Sequence, residues 1–127
     1  MNTFKFAPHF TEEEFTCRCG CGTLTVNQGF LERLERARVR AEVPFSVISG
    51  GRCPTHNAAE GGVDRSAHEA TELKESCACD IAARGSRSRF IILKSLLDAG
   101  FTRIGIAETF IHVDEDVTKP PMVVWLY

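Results

Sequence analysis

Apolar residues recur at helical spacing in two long stretches of the chain, and each stretch predicts an amphipathic helix. The first helix is expected over about residues 28–42, with Asn27 as its N-cap. The second is expected to start at an N-cap Ser86 and to run to Ala99, because Gly100 stands where a C′ glycine belongs. Both helices therefore have sequence signals at their ends as well as an apolar stripe.

Short β-prone runs separate and follow these helices. The runs nearest the C-terminus come one after another without helices between them, unlike the alternation expected of a parallel βαβ sheet. We therefore predict a single α+β domain over residues 1–127, with a small, mainly antiparallel sheet and helices packed on one side of it. A capping box at residues 11–14 adds a short N-terminal helix. The predicted strands cover residues 45–48, 77–82, 103–107, 110–114 and 123–126.

The charge balance weighs against one class of partner. Fifteen Lys and Arg residues stand against 17 Asp and Glu residues, so the net charge is −2 and no basic surface for nucleic acid is expected. No apolar run reaches the roughly 18 residues of a membrane span, so none is expected. The first residues lack the apolar stretch of a secretory signal, so we expect synthesis in the cytoplasm, and we expect a monomer.

Six cysteines are many for a chain without an evident export signal. Four of them could form a structural zinc site, although a Cys-x-Cys spacing is tighter than zinc sites usually have. Disulfides are an alternative if the protein works outside the cell, and ordinary buried or surface thiols are the simpler interpretation. The sequence leaves these three interpretations open. The four candidate ligands are Cys17, Cys19, Cys21 and Cys53.

Two histidines and an aspartate stand in positions that suit metal ligands. His68 lies in a long loop over residues 51–76, whereas Asp80 and His112 each lie inside an apolar strand. A carboxylate is costly to bury unless it is paired or bound to a metal. Two neutral imidazoles and one carboxylate form a catalytic zinc set that leaves a fourth position for water. The alternative is a pair of hydrogen-bonded core histidines and a capping aspartate.

Several short motifs follow one another in order along nearly the whole chain. They are Ser49-Gly50-Gly51-Arg52, His56-Asn57, Gly61-Gly62, Ser66-Ala67-His68, Ala78-Cys79-Asp80-Ile81 and Phe110-Ile111-His112-Val113-Asp114. Together they resemble the zinc D-alanyl-D-alanine carboxypeptidase family, which includes peptidoglycan peptidases of phages and bacteria. The resemblance implies the α+β fold that this family shares with lysostaphin-type peptidases and the hedgehog signalling domain.

The resemblance also implies roles for individual residues. His68, Asp80 and His112 match the three zinc ligands of the family. Arg52 matches an arginine that faces the carboxylate or the scissile carbonyl of the substrate, and its planar fork suits a peptide ending in D-alanine. Ser66 matches a cleft serine that binds substrate, although its hydroxyl could instead stabilise a turn.

The activity implied is zinc-dependent hydrolysis of peptide bonds in peptidoglycan stem peptides. One alternative is an L-alanyl-D-glutamate endopeptidase of the lysin type. A second alternative, from another class, is a catalytically silent module that holds zinc and binds the wall. In each case the expected partner is a peptidoglycan peptide, reached after phage-type release or as a virion component.

The chain departs from the family pattern at three places. His68 and Asp80 are 12 residues apart, farther than is usual, so residues 69–75 look like a short insertion. Ala107 stands where the family often has a tyrosine that stabilises the oxyanion. Thr109 stands where several relatives keep the catalytic base. The second and third departures favour the silent module.

The base is therefore expected elsewhere, at Glu108 or, as the second candidate, at Asp114. In an extended strand Glu108 would lie about 13 Å from His112, so the chain must turn near residues 107–109 for Glu108 to act as the base. Asp114 is two residues from His112 on the same strand face, so it could instead orient that imidazole.

Overall fold

The computed structural model describes residues 4–61, 66–71 and 74–127; Gly62 of the motifs and residues 72–73 of the apparent insertion lie outside these ranges. One turn of 3-10 helix at Phe4–Phe6 precedes the regular elements. The helices are α1 (Glu12–Phe15), α2 (Gln28–Ala41), α3 (Pro54–Ala59) and α4 (Ser86–Asp98). The strands are β1 (Val47–Ser49), β2 (Ala78–Ala82), β3 (Arg103–Ile106), β4 (Phe110–Asp114) and β5 (Val123–Leu126).

The five strands form one sheet in the order β1-β2-β4-β3-β5. Neighbouring strands are antiparallel except for β3 and β5, which run parallel. This arrangement confirms the predicted α+β class with a mainly antiparallel sheet. The register places Asp80 of β2 directly opposite His112 of β4, and Gly105 of β3 faces His112 from the other side.

The three central strands alternate between an apolar and a polar face. Every second residue joins the hydrophobic core, namely Cys79, Ile81, Ile104, Ile111 and Val113. The intervening residues line a cavity on the opposite face, namely Asp80, Arg103, Phe110, His112 and Asp114. Because β side chains alternate with a period of two, a single register determines both the core and the cavity wall.

Helices α2 and α4 pack against each other and close the apolar face. Helix α2 begins after Asn27, whose side chain accepts a 2.8 Å hydrogen bond from the backbone N–H of Phe30. It ends at Glu42, which adopts the left-handed conformation with φ of 56°. Within the described ranges, no helix is both long enough and apolar enough to cross a membrane.

Helix α4 has the predicted C-terminal signal but a different N-cap. Gly85, and not Ser86, is the N-cap, because the N–H of Arg89 donates to the Gly85 carbonyl at 2.9 Å and Ser86 is already helical. At the other end, Gly100 has φ of +100°, which a residue with a side chain rarely adopts. The turn directs Phe101 into the core.

The loop between β1 and β2 is held by backbone pairing. The N–H of Arg52 donates to the carbonyl of His68, and the carbonyl of Arg52 accepts from the N–H of Ala70, each at 2.7 Å. The ammonium of Lys74 donates to two further backbone carbonyls of the His68 segment at 3.1 Å. The described part of the apparent insertion therefore folds back on the segment that carries His68.

Replacing Phe101 with alanine should test how far the core depends on contacts between the helices. The Phe101 ring is 2% exposed and packs edge-on against Phe30, with ring centroids 5.7 Å apart. We expect Phe101→Ala to lower the free energy of unfolding by about 3–5 kcal/mol, measured by urea denaturation. The matched control is Phe90→Ala on α4, where the ring is 65% exposed and the expected change is within about 0.5 kcal/mol. Equal effects of the two substitutions would contradict this packing.

Candidate metal centre

Three ligand atoms from three different parts of the chain meet at the floor of the cavity. Nδ1 of His112 lies 2.9 Å from Oδ1 of Asp80 and 3.2 Å from Nε2 of His68. Nε2 of His68 lies 3.3 Å from Oδ1 of Asp80. The structure therefore brings together the three residues that the sequence nominated as metal ligands, although 44 positions separate the two histidines.

The tautomer of each imidazole follows from what its other nitrogen contacts. Nδ1 of His68 lies 2.7 Å from the carbonyl of Gly50, which can only accept, so this nitrogen carries the proton. Nε2 of His112 lies 2.7 Å from Oδ2 of Asp114, so it donates to that carboxylate. The nitrogen that each histidine turns toward the shared centre is therefore the one that would give up its proton on binding a metal.

The geometry of these three atoms fits one tetrahedral metal ion. Ligand atoms 2.0–2.1 Å from a zinc ion at tetrahedral angles lie about 3.4 Å from one another. The three atoms here lie 2.9–3.3 Å apart, which is close to that spacing. All three residues line the cavity, so an ion that they held would be accessible from it, as in a catalytic site and unlike a closed structural one.

Electrostatics favours the charged form of the two carboxylates at the centre. Burial alone would raise the pKa of Asp80, but hydrogen bonds from His112 and His68 outweigh it and hold the pKa well below its usual range. Burial would likewise raise the pKa of Asp114, but its bond to His112 lowers it. Burial alone would lower the pKa of His112, but its hydrogen bonds to the two carboxylates outweigh burial, so the pKa is raised. The two carboxylates are therefore held in the charged form, in which Asp80 can bind a metal and Asp114 can accept a hydrogen bond from His112.

Asp114 is itself held from behind by Arg103 of β3. The Nε of Arg103 donates to Oδ1 of Asp114 at 2.7 Å, and its guanidinium lies 5.2 Å from the centre of the Trp125 ring. Trp125 in turn packs against His112, with ring centroids 5.5 Å apart. The imidazole of His112 is therefore fixed by a carboxylate at one nitrogen and by an indole beside its ring.

The cavity above the centre has a volume of about 670 Å³ and includes both residues nominated for substrate binding. Arg52 lies on its wall, and the described part of the chain offers no hydrogen-bond partner to the buried Nε of this arginine. Ser66 also lines the cavity, but its Oγ accepts a 3.2 Å hydrogen bond from the N–H of His68. The Ser66 hydroxyl thus supports the turn into His68, while its donor capacity is still available to a substrate.

The two candidates for the base lie in different positions. The chain does turn between Ile106 and Phe110, as a role for Glu108 requires, but Glu108 is exposed and does not line the cavity. Asp114 lines the cavity, yet both of its oxygens already accept hydrogen bonds, one from His112 and one from Arg103. The geometry of Asp114 matches its alternative role, which is to orient His112.

Four further residues of the cavity wall were not anticipated from the sequence, namely Glu60, Lys119, Trp125 and Tyr127. The sequence predicts the C-terminal run only as a strand, with no signal that its aromatic residues line a cavity. The N–H of Tyr127 donates to the carbonyl of Ile106 at 3.0 Å, so Tyr127 lies beside the start of the β3–β4 turn. A tyrosine is thus present in the cavity even though position 107 holds an alanine.

The chain matches the family model described as Peptidase M15 over residues 8–114. No curated protein matches the chain. Because the family model covers most of the chain, the protein belongs to the peptidase M15 family, and the resemblance to zinc D-alanyl-D-alanine carboxypeptidases is confirmed. The protein is accordingly a metallopeptidase that acts on peptidoglycan-related peptides.

Removing the carboxylate behind His112 should weaken metal binding without removing a ligand. We expect Asp114→Asn to lower zinc affinity by about 10–100-fold, because the amide holds the imidazole and its tautomer less firmly. Competition with a chromogenic chelator measures the change. The control is Glu115→Gln, since Glu115 pairs with Arg33 at the surface and contacts no ligand. Equal zinc affinity in Asp114→Asn and wild type would contradict the orienting role.

Proposed function

We propose that this metallopeptidase uses a single zinc ion to hydrolyse peptidoglycan stem peptides as a D-alanyl-D-alanine carboxypeptidase. The observation that carries the proposal is the centre of His68, Asp80 and His112, which opens into a cavity with the guanidinium of Arg52 on its wall. A zinc ion bound there would acidify a water molecule and polarise the scissile carbonyl. The three ligand side chains would hold it, with their outer partners already in place.

In this proposal Arg52 recognises the C-terminal carboxylate of the stem peptide. A guanidinium binds a carboxylate through two parallel N–H···O bonds, which fixes both position and direction. The backbone of Arg52 is fixed by its pairing with the His68 segment, so its side chain starts from a defined position beside the candidate metal ligands.

The proton acceptor is expected among the carboxylates of the cavity wall. Within the described residues these are Glu60, Asp80 and Asp114. Asp80 is a ligand and Asp114 orients His112, so we assign to Glu60 the role of accepting a proton from the attacking water and returning it to the leaving amine. Glu108 as the base remains a prediction from the sequence, without a place in the cavity wall to support it.

Tyr127 is proposed to replace the tyrosine that the family often has where this chain has Ala107, and to supply the hydroxyl that stabilises the oxyanion. Burial raises the pKa of Tyr127, so its hydroxyl stays protonated at neutral pH and can donate to a developing oxyanion. The protein is proposed to act as a monomer on the cell wall, after phage-type release or as part of a virion, since that is where its substrate lies.

A panel of synthetic peptides tests the proposed specificity. We expect the zinc-loaded protein to release D-alanine from a stem pentapeptide with a free carboxylate at least about 10-fold faster than from its C-terminal amide, because a charge-assisted bond to Arg52 is lost. Mass spectrometry of the products measures both rates. The preference should vanish in Arg52→Gln and persist in Arg87→Gln, a control at an exposed arginine of α4. His112→Ala and chelated wild type should release nothing.

Other outcomes of this panel would favour the alternatives. Cleavage between L-alanine and D-glutamate, with no preference for the free carboxylate, would identify an endopeptidase. Zinc binding and retention on purified peptidoglycan without any cleavage would identify the silent wall-binding module. Either result would overturn the carboxypeptidase assignment.

Two glutamine substitutions distinguish the candidate bases. We expect Glu60→Gln to lower kcat by about 100-fold or more while retaining zinc, since general base catalysis contributes roughly 10²–10⁴-fold. Glu108→Gln should change kcat less than about threefold by the same reasoning, because it lies outside the cavity wall. The reverse order of effects would restore Glu108 as the base and remove Glu60 from the mechanism.

A further inference from the structure

A second group of metal-binding side chains lies apart from the cavity, where four cysteine sulfurs converge. All four Sγ atoms of Cys17, Cys19, Cys21 and Cys53 lie within 4.8 Å of one another. The Sγ atom of Cys19 is 3.4 Å from that of Cys17 and 3.7 Å from that of Cys53. Sulfurs 2.3 Å from a zinc ion at tetrahedral angles lie about 3.8 Å apart, so these spacings suit one ion inside the group.

Backbone N–H groups and two left-handed glycines position the sulfur atoms of this cluster. The N–H of Cys53 donates to the Sγ of Cys17 at 3.3 Å, and the N–H of His56 donates to the Sγ of Cys53 at 3.4 Å. Such N–H donors stabilise the thiolate form, which is the form that binds a metal. Gly20 and Gly22 have φ of +93° and +79°, which lets the chain reverse direction around Cys21.

Two interpretations other than a metal explain less of this arrangement. The four thiols are free, and a disulfide would join sulfurs in pairs about 2.05 Å apart, leaving no reason for four of them to share one centre. Ordinary structural thiols are mostly buried, whereas Cys19 and Cys21 are exposed at the surface. A four-sulfur cluster at the protein surface, with two of its cysteines exposed, accounts for both observations.

The cluster joins two parts of the chain that are far apart in sequence. Cys53 directly follows Arg52 and is the N-cap of α3, whereas the other three cysteines lie in the segment after α1. The Cys17 N–H donates to the Thr23 carbonyl at 2.8 Å and closes that segment into a compact loop. An ion held by all four sulfurs would therefore fix the loop on which Arg52 stands.

We propose that Cys17, Cys19, Cys21 and Cys53 bind a second, structural zinc ion that fastens the N-terminal segment to the Arg52 loop. Four thiolates without an open position form a closed site, in contrast to the three-ligand centre of the cavity. Thiolate ligands also select zinc over the harder divalent ions that oxygen-rich sites prefer. Binding displaces the thiol protons to solvent, so affinity should fall as the pH is lowered.

The number of zinc ions bound per chain, measured in the wild type and in His112→Ala, tests the proposal without any activity measurement. Protein purified under reducing, zinc-replete conditions should hold about two zinc ions per chain, and His112→Ala should hold about one. The double variant Cys19→Ser/Cys21→Ser should also hold about one, and the combination of all three substitutions should hold none. The matched control is Cys77→Ser, a cysteine outside the cluster, which should leave two ions bound.

A spectroscopic measurement covers the case in which the cysteine variant fails to fold. The His112→Ala protein keeps all four cysteines, so reconstituting it with Co²⁺ should produce intense thiolate-to-metal charge-transfer absorption in the near ultraviolet. No such absorption, together with a wild-type content of one zinc ion, would overturn the proposal. Disulfides among the four cysteines, found by mass spectrometry of the unreduced protein, would overturn it as well. Neither result would bear on the catalytic centre, which contains no sulfur ligand.

Discussion

The antiparallel pairing of β2 with β4 is the constraint on which the rest of this structure depends. It sets Asp80 opposite His112 and, because side chains alternate, sends their neighbours Cys79, Ile81, Ile111 and Val113 into the core. A slip of one residue would turn the apolar side chains toward the cavity and turn Asp80 or His112 toward the core. The free energy that holds the register is thus the hydrophobic free energy of the core, so the centre is positioned by forces that act on the other face of the sheet.

The candidate metal centre is ordered by residues that contact its candidate ligands from outside. The carbonyl of Gly50 and the carboxylate of Asp114 set the tautomers of the two histidines, and Arg103 with Trp125 keeps Asp114 and His112 from turning. Such outer contacts reduce the conformational entropy that a metal must remove on binding. The candidate ligands are therefore held in place by the fold itself.

Arg52 connects the two groups of metal-binding side chains. Its backbone pairs with the segment of His68 on one side, and the next residue, Cys53, belongs to the cysteine cluster on the other. In the proposed function Arg52 recognises a substrate group at a fixed distance from the reacting carbonyl, and rigid attachment of its loop at both sides would favour that role.

The sequence by itself determined the elements and nominated the three candidate ligands that the structure brings together. Helix caps, turn residues and the periodicity of apolar positions are local signals, so α2, α4 and the strands could be predicted to within about two residues. The candidate ligands followed from the ordered motifs that resemble the family, because spacing alone left hydrogen-bonded core histidines as an alternative.

The tertiary structure alone decided the rest of the site. The direction of Glu108 is set in the turn between β3 and β4, and the cavity wall that Tyr127 joins depends on the parallel pairing of β3 with β5. The meeting of Cys53 with cysteines more than 30 positions earlier likewise depends on loop packing. Neither is encoded in local sequence, because contacts between distant residues are selected by the free energy of the whole fold.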